Sequence, residues 1–284
     1  MTTATLQAPV PTRITAPTAP RVRAVPVLAA RRLALTIRSP RSLVVPLLTP
    51  VLFALVIAPA LANTIAVPSG RTAYMTFVAL ATAGLLIPLN CMFSGLGVIV
   101  DRQHGAMREL LVAPIRRSSI VMGNLVAALA TTALQLVVLI GVSALRGAHY
   151  VMSSRTLWFV AAALLFAVFM YALAEILAVR VPRPEEYIGV VPAIAIVPFF
   201  FAGSLFPITA LPHWLAGVAR VLPLTHALAL FRYGLTGDGG RALHNIWGLH
   251  SVPAMAALSL TVVGLFTAVA IAGALRLFAR AGRS

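Results

Sequence analysis

Few residues in this chain are equipped for chemistry, so each one is informative. Six carboxylates, six histidines, one cysteine and 22 arginines are spread over 284 residues, and there is no lysine. The densest group is a charged island, Asp101 to Arg117, reading Asp-Arg-Gln-His-Gly-Ala-Met-Arg-Glu-Leu-Leu-Val-Ala-Pro-Ile-Arg-Arg. It holds two of the six acids and four of the arginines, between two long apolar runs. Glu175 is the acid that lies well inside an apolar run. A carboxylate in hydrocarbon is expensive and in pumps serves as a proton relay. The plainer reading, and the favoured one, sets Glu175 near the end of its run, paired with Arg180 or snorkelling outward.

Several chemistries are disfavoured by the same inventory. A P-loop needs a lysine to reach the β- and γ-phosphates, so ATP hydrolysis is expected on another polypeptide, with ATP and magnesium bound there and no cofactor bound here. His104, His149, His213, His226, His244 and His250 show no ligand spacing with acids or cysteines, which argues against a metal site. Ser94-Gly95 and Gly203-Ser204 have no suitably placed histidine for a serine-protease arrangement; the glycines, with Gly84 and Gly97, suit close helix packing instead. Cys91 stands alone in an apolar run, so no internal disulfide forms.

The elements that must position these residues are membrane spans. The chain is 60% hydrophobic and 10% charged, with a mean hydropathy of +0.98, against roughly 25% charged residues in a soluble domain. Six apolar runs each reach the 20 or so residues a bilayer-crossing helix needs. They cover about Leu43–Ala62, Tyr74–Val100, Ser119–Leu145, Leu157–Val179, Ile188–Phe206 and Val252–Leu277. None alternates in the manner of a membrane β-barrel strand. The expected fold is therefore an all-α integral membrane protein with six transmembrane helices.

Charge orients it. With both termini in the cytosol, sixteen arginines fall on the cytosolic side and six on the other, as the positive-inside rule requires. The net charge of +16 is then explained by topology and anionic headgroups, without nucleic acid. A lysine-free, alanine-rich chain suggests a GC-rich, bacterial genome, hence a bacterial plasma membrane.

Smaller elements fill the connections. Residues 1–26, with five prolines, read as a disordered cytosolic tail; residues 27–284 form the membrane domain. Val27–Arg38 mixes apolar residues with Arg31, Arg32 and Arg38, which suits an interfacial amphipathic helix with arginines at headgroup level. In the island, residues 101–118, Ala106–Val112 can form two helical turns with Met107, Leu110 and Leu111 on one face, ended by Pro114. That face is either a knob presented to a partner protein or part of a solvated loop whose arginines only set topology. In the outer-face segment, residues 207–251, Pro212 opens a short helix with Trp214, Leu215, Val218, Val221 and Leu222 on one face, closed by Pro223. Thr225 then caps a second helix, His226 to Leu235. Both are expected to lie against or dip into the outer leaflet, with Trp214 as an interfacial anchor.

Three motifs in register carry a resemblance. Asp101-Arg102-x-x-Gly105-x-Met107-x-x-Leu110-Leu111-x-x-Pro114-Ile115, followed by Gly123, resembles the cytosolic loop of ABC-2 type transporter permeases. Phe206-Pro207, Leu211-Pro212, Trp214-Leu215, Leu222-Pro223-Leu224-Thr225-His226 and Arg232 are similar to the same family's outer-face segment, especially in its daunorubicin-resistance and Nod-factor export branches. Arg38-Ser39-Pro40-Arg41 before the first span is a weaker match. The resemblance covers roughly residues 30 to 280. It implies a permease that pairs with a second, identical or related, permease subunit and docks on two copies of a cytosolic ATP-binding subunit. It also implies that the island is the coupling helix, with Asp101, Arg102, Gly105, Met107, Glu109, Leu110, Leu111 and Pro114 at the ATPase surface, supported by Arg31, Arg32 and Arg38. Gln103 and Arg108 stand where relatives often carry acids, which leaves the charge pairing at that contact open.

The implied function is export of an amphipathic or hydrophobic compound, drug- or antibiotic-like, with a polysaccharide or lipo-oligosaccharide as the alternative cargo. Substrate-binding residues are not identifiable, because apolar cavity linings are unspecific. The competing class is a proton-coupled secondary transporter using Glu175. Such carriers usually show internal repeats, and the two halves of this chain show none. A membrane scaffold without transport is the third class.

Overall fold

The computed structural model describes residues 24–39, 44–45, 47–48, 51–57, 59–60, 71–103, 105, 117–181 and 183–281. Within them every regular element is helical. The chain-order helices are α1 (Ala24–Arg38), α2 (Arg71–Gln103), α3 (Arg117–Leu145), α4 (Thr156–Arg180), α5 (Pro184–Phe201), α6 (His213–Val221), α7 (Pro223–Leu235), α8 (Arg241–Trp247) and α9 (Val252–Ala281). A π-helical turn, Phe53–Ile57, precedes α2, and a 3-10 turn, Ile208–Ala210, precedes α6. Five helices, α2, α3, α4, α5 and α9, are long and apolar enough to cross a bilayer, and α6 with α7 would make a sixth, broken span bent by 80°. The expected first span, Leu43–Ala62, lies partly outside the described residues; its described pieces, such as Val51–Leu52 and Phe53–Ile57, are helical.

α4 is the centre of the bundle. It packs against α2, α7 and α9, and its inward face buries Phe159, Phe166, Met170 and Ala174. α5 packs along α2, where Tyr187, Val191 and Phe199 are buried. Large apolar side chains on the outside, such as Val137, Leu157 and Leu265, are exposed. Such faces are stable only against hydrocarbon or another protein. Prolines sit inside α2 (Pro88) and α5 (Pro192, Pro198). Each removes one backbone donor, which buried membrane helices tolerate because neighbours satisfy the freed carbonyls.

The second short helix differs from expectation in two respects. It begins at Pro223, a favoured first helical position because the missing N–H would be unpaired there anyway, so Thr225 lies inside the helix rather than capping it. All thirteen of its residues are buried, so α7 is a core element wedged among α4, α9 and α2, not an interfacial one. A methyl group on Gly84 would meet Leu228 at 2.7 Å, a measure of how closely α7 approaches α2. α8, Arg241–Trp247, is an additional short helix in this segment. α1 starts at Ala24 rather than Val27 and lies along α3.

Candidate functional site

The island begins where α2 ends, and that end is held by α1 and by the end of α4. α1 packs on α3 closely enough that a methyl group on Gly123 would meet Leu28 Cβ at 2.6 Å. This seating turns Arg32 towards α2. Its Nη1 donates to Asp101 Oδ2 at 3.0 Å, and its Nη2 to the Ser94 carbonyl at 3.4 Å. The guanidinium occupies the space a side chain at position 97 would need: any Cβ on Gly97 would overlap it. Both partners of the ion pair are 15% exposed. An arginine there presents a planar fork to a carboxylate, which a lysine would not.

Arg102 reaches the other way, its Nη2 donating to the Val181 carbonyl at 3.4 Å, next to the end of α4. Cations at helix C-termini complement the partial negative charge of unpaired carbonyls. Gly105, with φ of 78°, is in the left-handed conformation that ends helices, and its N–H donates to the Arg102 carbonyl. Asp101, Arg102 and Gly105 therefore anchor and terminate α2. Met107, Glu109, Leu110, Leu111 and Pro114 lie outside the described residues. Arg31 and Arg38 are exposed on α1, unlike Arg32.

Beneath this junction is a second polar group inside the bundle. Tyr171 on α4 donates its hydroxyl to Glu175 Oε1, one turn on, and lies 3.2 Å from the Val121 carbonyl of α3. Glu175 is 1% exposed, and its Oε2 has no hydrogen-bond partner among the described residues. Pairing with Arg180, or snorkelling, is therefore not what Glu175 does. At position i+5 Arg180 points away from it, whereas Tyr171 at i−4 shares its face. On the neighbouring helix, Tyr187 of α5 donates to the Met92 carbonyl at 2.6 Å, in the space left by Gly95. Sequence spacing alone signals the Tyr171–Glu175 pair, which stands at i, i+4; Tyr187 carries no such signal.

At the opposite end of the bundle, Pro207 and Pro212 precede the 3-10 turn and α6, and Trp214 is 71% exposed, as an interfacial anchor should be. His226 is a core histidine. Its Nδ1 lies 3.2 Å from Ser259 Oγ of α9, its Nε2 lies 2.9 Å from the Arg220 carbonyl, and Trp247 of α8 packs on its ring. Arg232, on α7, is also buried. Its Nη2 donates to the carbonyls of Gly203 and Ser204 at 2.9 and 3.1 Å, and its guanidinium stacks 3.6 Å from the Phe77 ring centre. Phe77 and Arg232 lie far apart in the sequence and meet because α7 packs against α2.

The pattern of known families agrees with this layout. The profile of the ABC-2 type transporter family matches residues 23–236, which spans α1 through α7. A putative transport permease, ycf38, of Porphyra purpurea is 27% identical over 165 residues, covering 57% of this chain and 56% of the relative. Its namesake in Pyropia yezoensis is 27% identical over 168 residues, with the same coverage. The chain thus spans somewhat over half the length of these curated relatives. The junction of α1, α2 and α4 and the broken α6–α7 element both fall within the region matched by the family profile, and the chain belongs to the ABC-2 type transporter family.

Proposed function

We propose that this chain is the membrane-spanning permease subunit of an ATP-binding cassette exporter, driven by ATP hydrolysed on a separate cytosolic subunit. The observation that carries this reading is the Arg32–Asp101 junction. It clamps α1 to the last turn of α2 immediately before the island, so a force applied to the island is delivered to two helices at once. In this reading the island end is cytosolic, in keeping with the arginine count, and two ATPase copies dock on two permease subunits. The cargo is an amphipathic or hydrophobic compound of drug-like or antibiotic-like character, with a polysaccharide or lipo-oligosaccharide as the second choice, moved out across a bacterial plasma membrane.

The test is whether a P-loop ATPase without membrane spans is encoded beside it and co-purifies with it. Replacing Leu110 and Leu111 by aspartate should abolish association while membrane insertion persists. Unchanged association, or the absence of any ATPase partner, would sink the reading. One observation favours a second reading: Glu175 is a buried carboxylate with an oxygen left unpartnered among the described residues, as a proton-coupled carrier would require. That reading requires cargo movement in vesicles without ATPase, lost in Glu175→Gln.

A further inference from the structure

The far end of the bundle, away from the island, contains a cavity of about 1480 Å³, between the start of α2, the turn after α5, α7 and α8. Ligand pockets for small molecules usually enclose about 300–1,000 Å³, so there is room for a headgroup and part of an apolar tail. Phe77, Phe206 and Leu249 form apolar wall; Arg232 and Thr225 contribute from α7. Arg232 is 5% exposed and Thr225 3%.

Two polar atoms at this site are unanswered. Among the described residues, Arg232 Nε and Thr225 Oγ1 are buried without a hydrogen-bond partner. Arg232 is engaged through Nη2 with two carbonyls and by stacking on Phe77, but the ion pairs among the described residues are elsewhere. A buried cation with no carboxylate in direct contact is unfavourable, and the negative charge that acts on Arg232 is that of Asp238. The two carbonyl contacts need only a neutral donor, and the stack on Phe77 draws on the charge from one side of the guanidinium. Guanidinium groups are the preferred partners of phosphate-type oxyanions. Asp238, also on the cavity lining, is the one described carboxylate there; its Oδ1 accepts from the Gly240 N–H at 3.0 Å, and it opposes an incoming anion.

We propose that this cavity binds the phosphate-type oxyanion head of an amphipathic molecule, with the head at Arg232 and Thr225 and the apolar part against Phe77, Phe206 and Leu249. The site lies within one permease subunit and its occupancy does not depend on the ATPase, so it stands or falls separately from the exporter reading.

The experiment uses the full chain, purified alone in an uncharged maltoside detergent, with thermal unfolding followed by tryptophan fluorescence. Probes are dihexanoyl phosphatidylglycerol, dihexanoyl phosphatidylcholine, dihexanoylglycerol and inorganic phosphate. Phosphatidylglycerol should stabilise saturably and dihexanoylglycerol should not. Loss of a charge-assisted contact in Arg232→Gln should raise the half-saturating concentration about tenfold or more. Asp238→Asn keeps the acceptor for Gly240 and should lower it, which serves the test even if Arg232→Gln fails to fold. Arg220→Gln, on exposed α6, should leave it unchanged. Inorganic phosphate matching phosphatidylglycerol would identify free phosphate as the ligand; a weaker response would identify a lipid-like molecule. Equal stabilisation by dihexanoylglycerol and phosphatidylglycerol, or weaker binding in Asp238→Asn, would overturn the proposal.

Discussion

Replacing Gly97 by alanine is the sharpest test of the α1–α2 junction, because general helix chemistry and the local geometry predict opposite signs. In a helix interior, glycine to alanine normally stabilises by about 1 kcal/mol. Here the new Cβ would overlap the Arg32 guanidinium, which must leave its position and with it the 3.0 Å bond to Asp101. A charge-assisted hydrogen bond with both partners largely buried contributes about 1.5–3 kcal/mol. The propensity gain therefore loses, and the variant should be less stable by about 0.5–2 kcal/mol. In an Asp101→Asn background the bond already lacks its ionic part, so the same alanine should cost about 1 kcal/mol less, a coupling visible in a double-mutant cycle. Unfolding in detergent, followed by tryptophan fluorescence, measures all four variants. A stabilised Gly97→Ala, or strict additivity with Asp101→Asn, would refute the reasoning.

Two further outcomes follow from the same end of the bundle. Tyr171→Phe removes the hydroxyl that Glu175 accepts from and should destabilise by about 1–3 kcal/mol; adding Glu175→Gln should recover part of this, since an amide is less costly to leave unpaired than a carboxylate, and thermal unfolding reads both. Gly123→Leu should lift α1 from α3, so that a cysteine placed at the buried Ala29 position becomes reactive to a maleimide in a Cys91→Ser background; unchanged protection would show that α1 is held by other contacts.

The long helices were legible because apolar runs of bilayer length admit little else. Their ends moved by a few residues where polar groups were tolerated, as at Pro184, whose missing N–H suits a helix start. α7 departs from the interfacial expectation for a physical reason: it is buried on all sides, and apolar periodicity over so short a helix cannot separate one facing lipid from one wrapped by other helices. Among its polar residues, His226 and Arg232 are the available signal, since both need partners that only a protein interior supplies. α8 is seven residues between Gly240 and Gly248, both with positive φ; that glycine bracket was readable, but so short a helix has no apolar stripe to announce it. The pairing of Arg32 with Asp101 joins positions 69 apart, and nothing in either local sequence marks which of the nearby arginines is chosen. Docking of α1 through Gly123 makes that choice.

The length of α2 has a mechanical meaning. Its 33 residues make a rod about 50 Å long at 1.5 Å per residue, with Phe77 beside the Arg232 cavity near one tip and Asp101 at the other. Tilting such a rod by about 5° about its midpoint displaces each tip by roughly 2 Å, in opposite directions. That is enough to break a hydrogen bond, so the two ends cannot be adjusted independently while the rod stays straight. Pro88, near the middle, removes one of the backbone bonds that keep it so. Whether a push at one tip is felt at the other is therefore decided by the stiffness of a single turn.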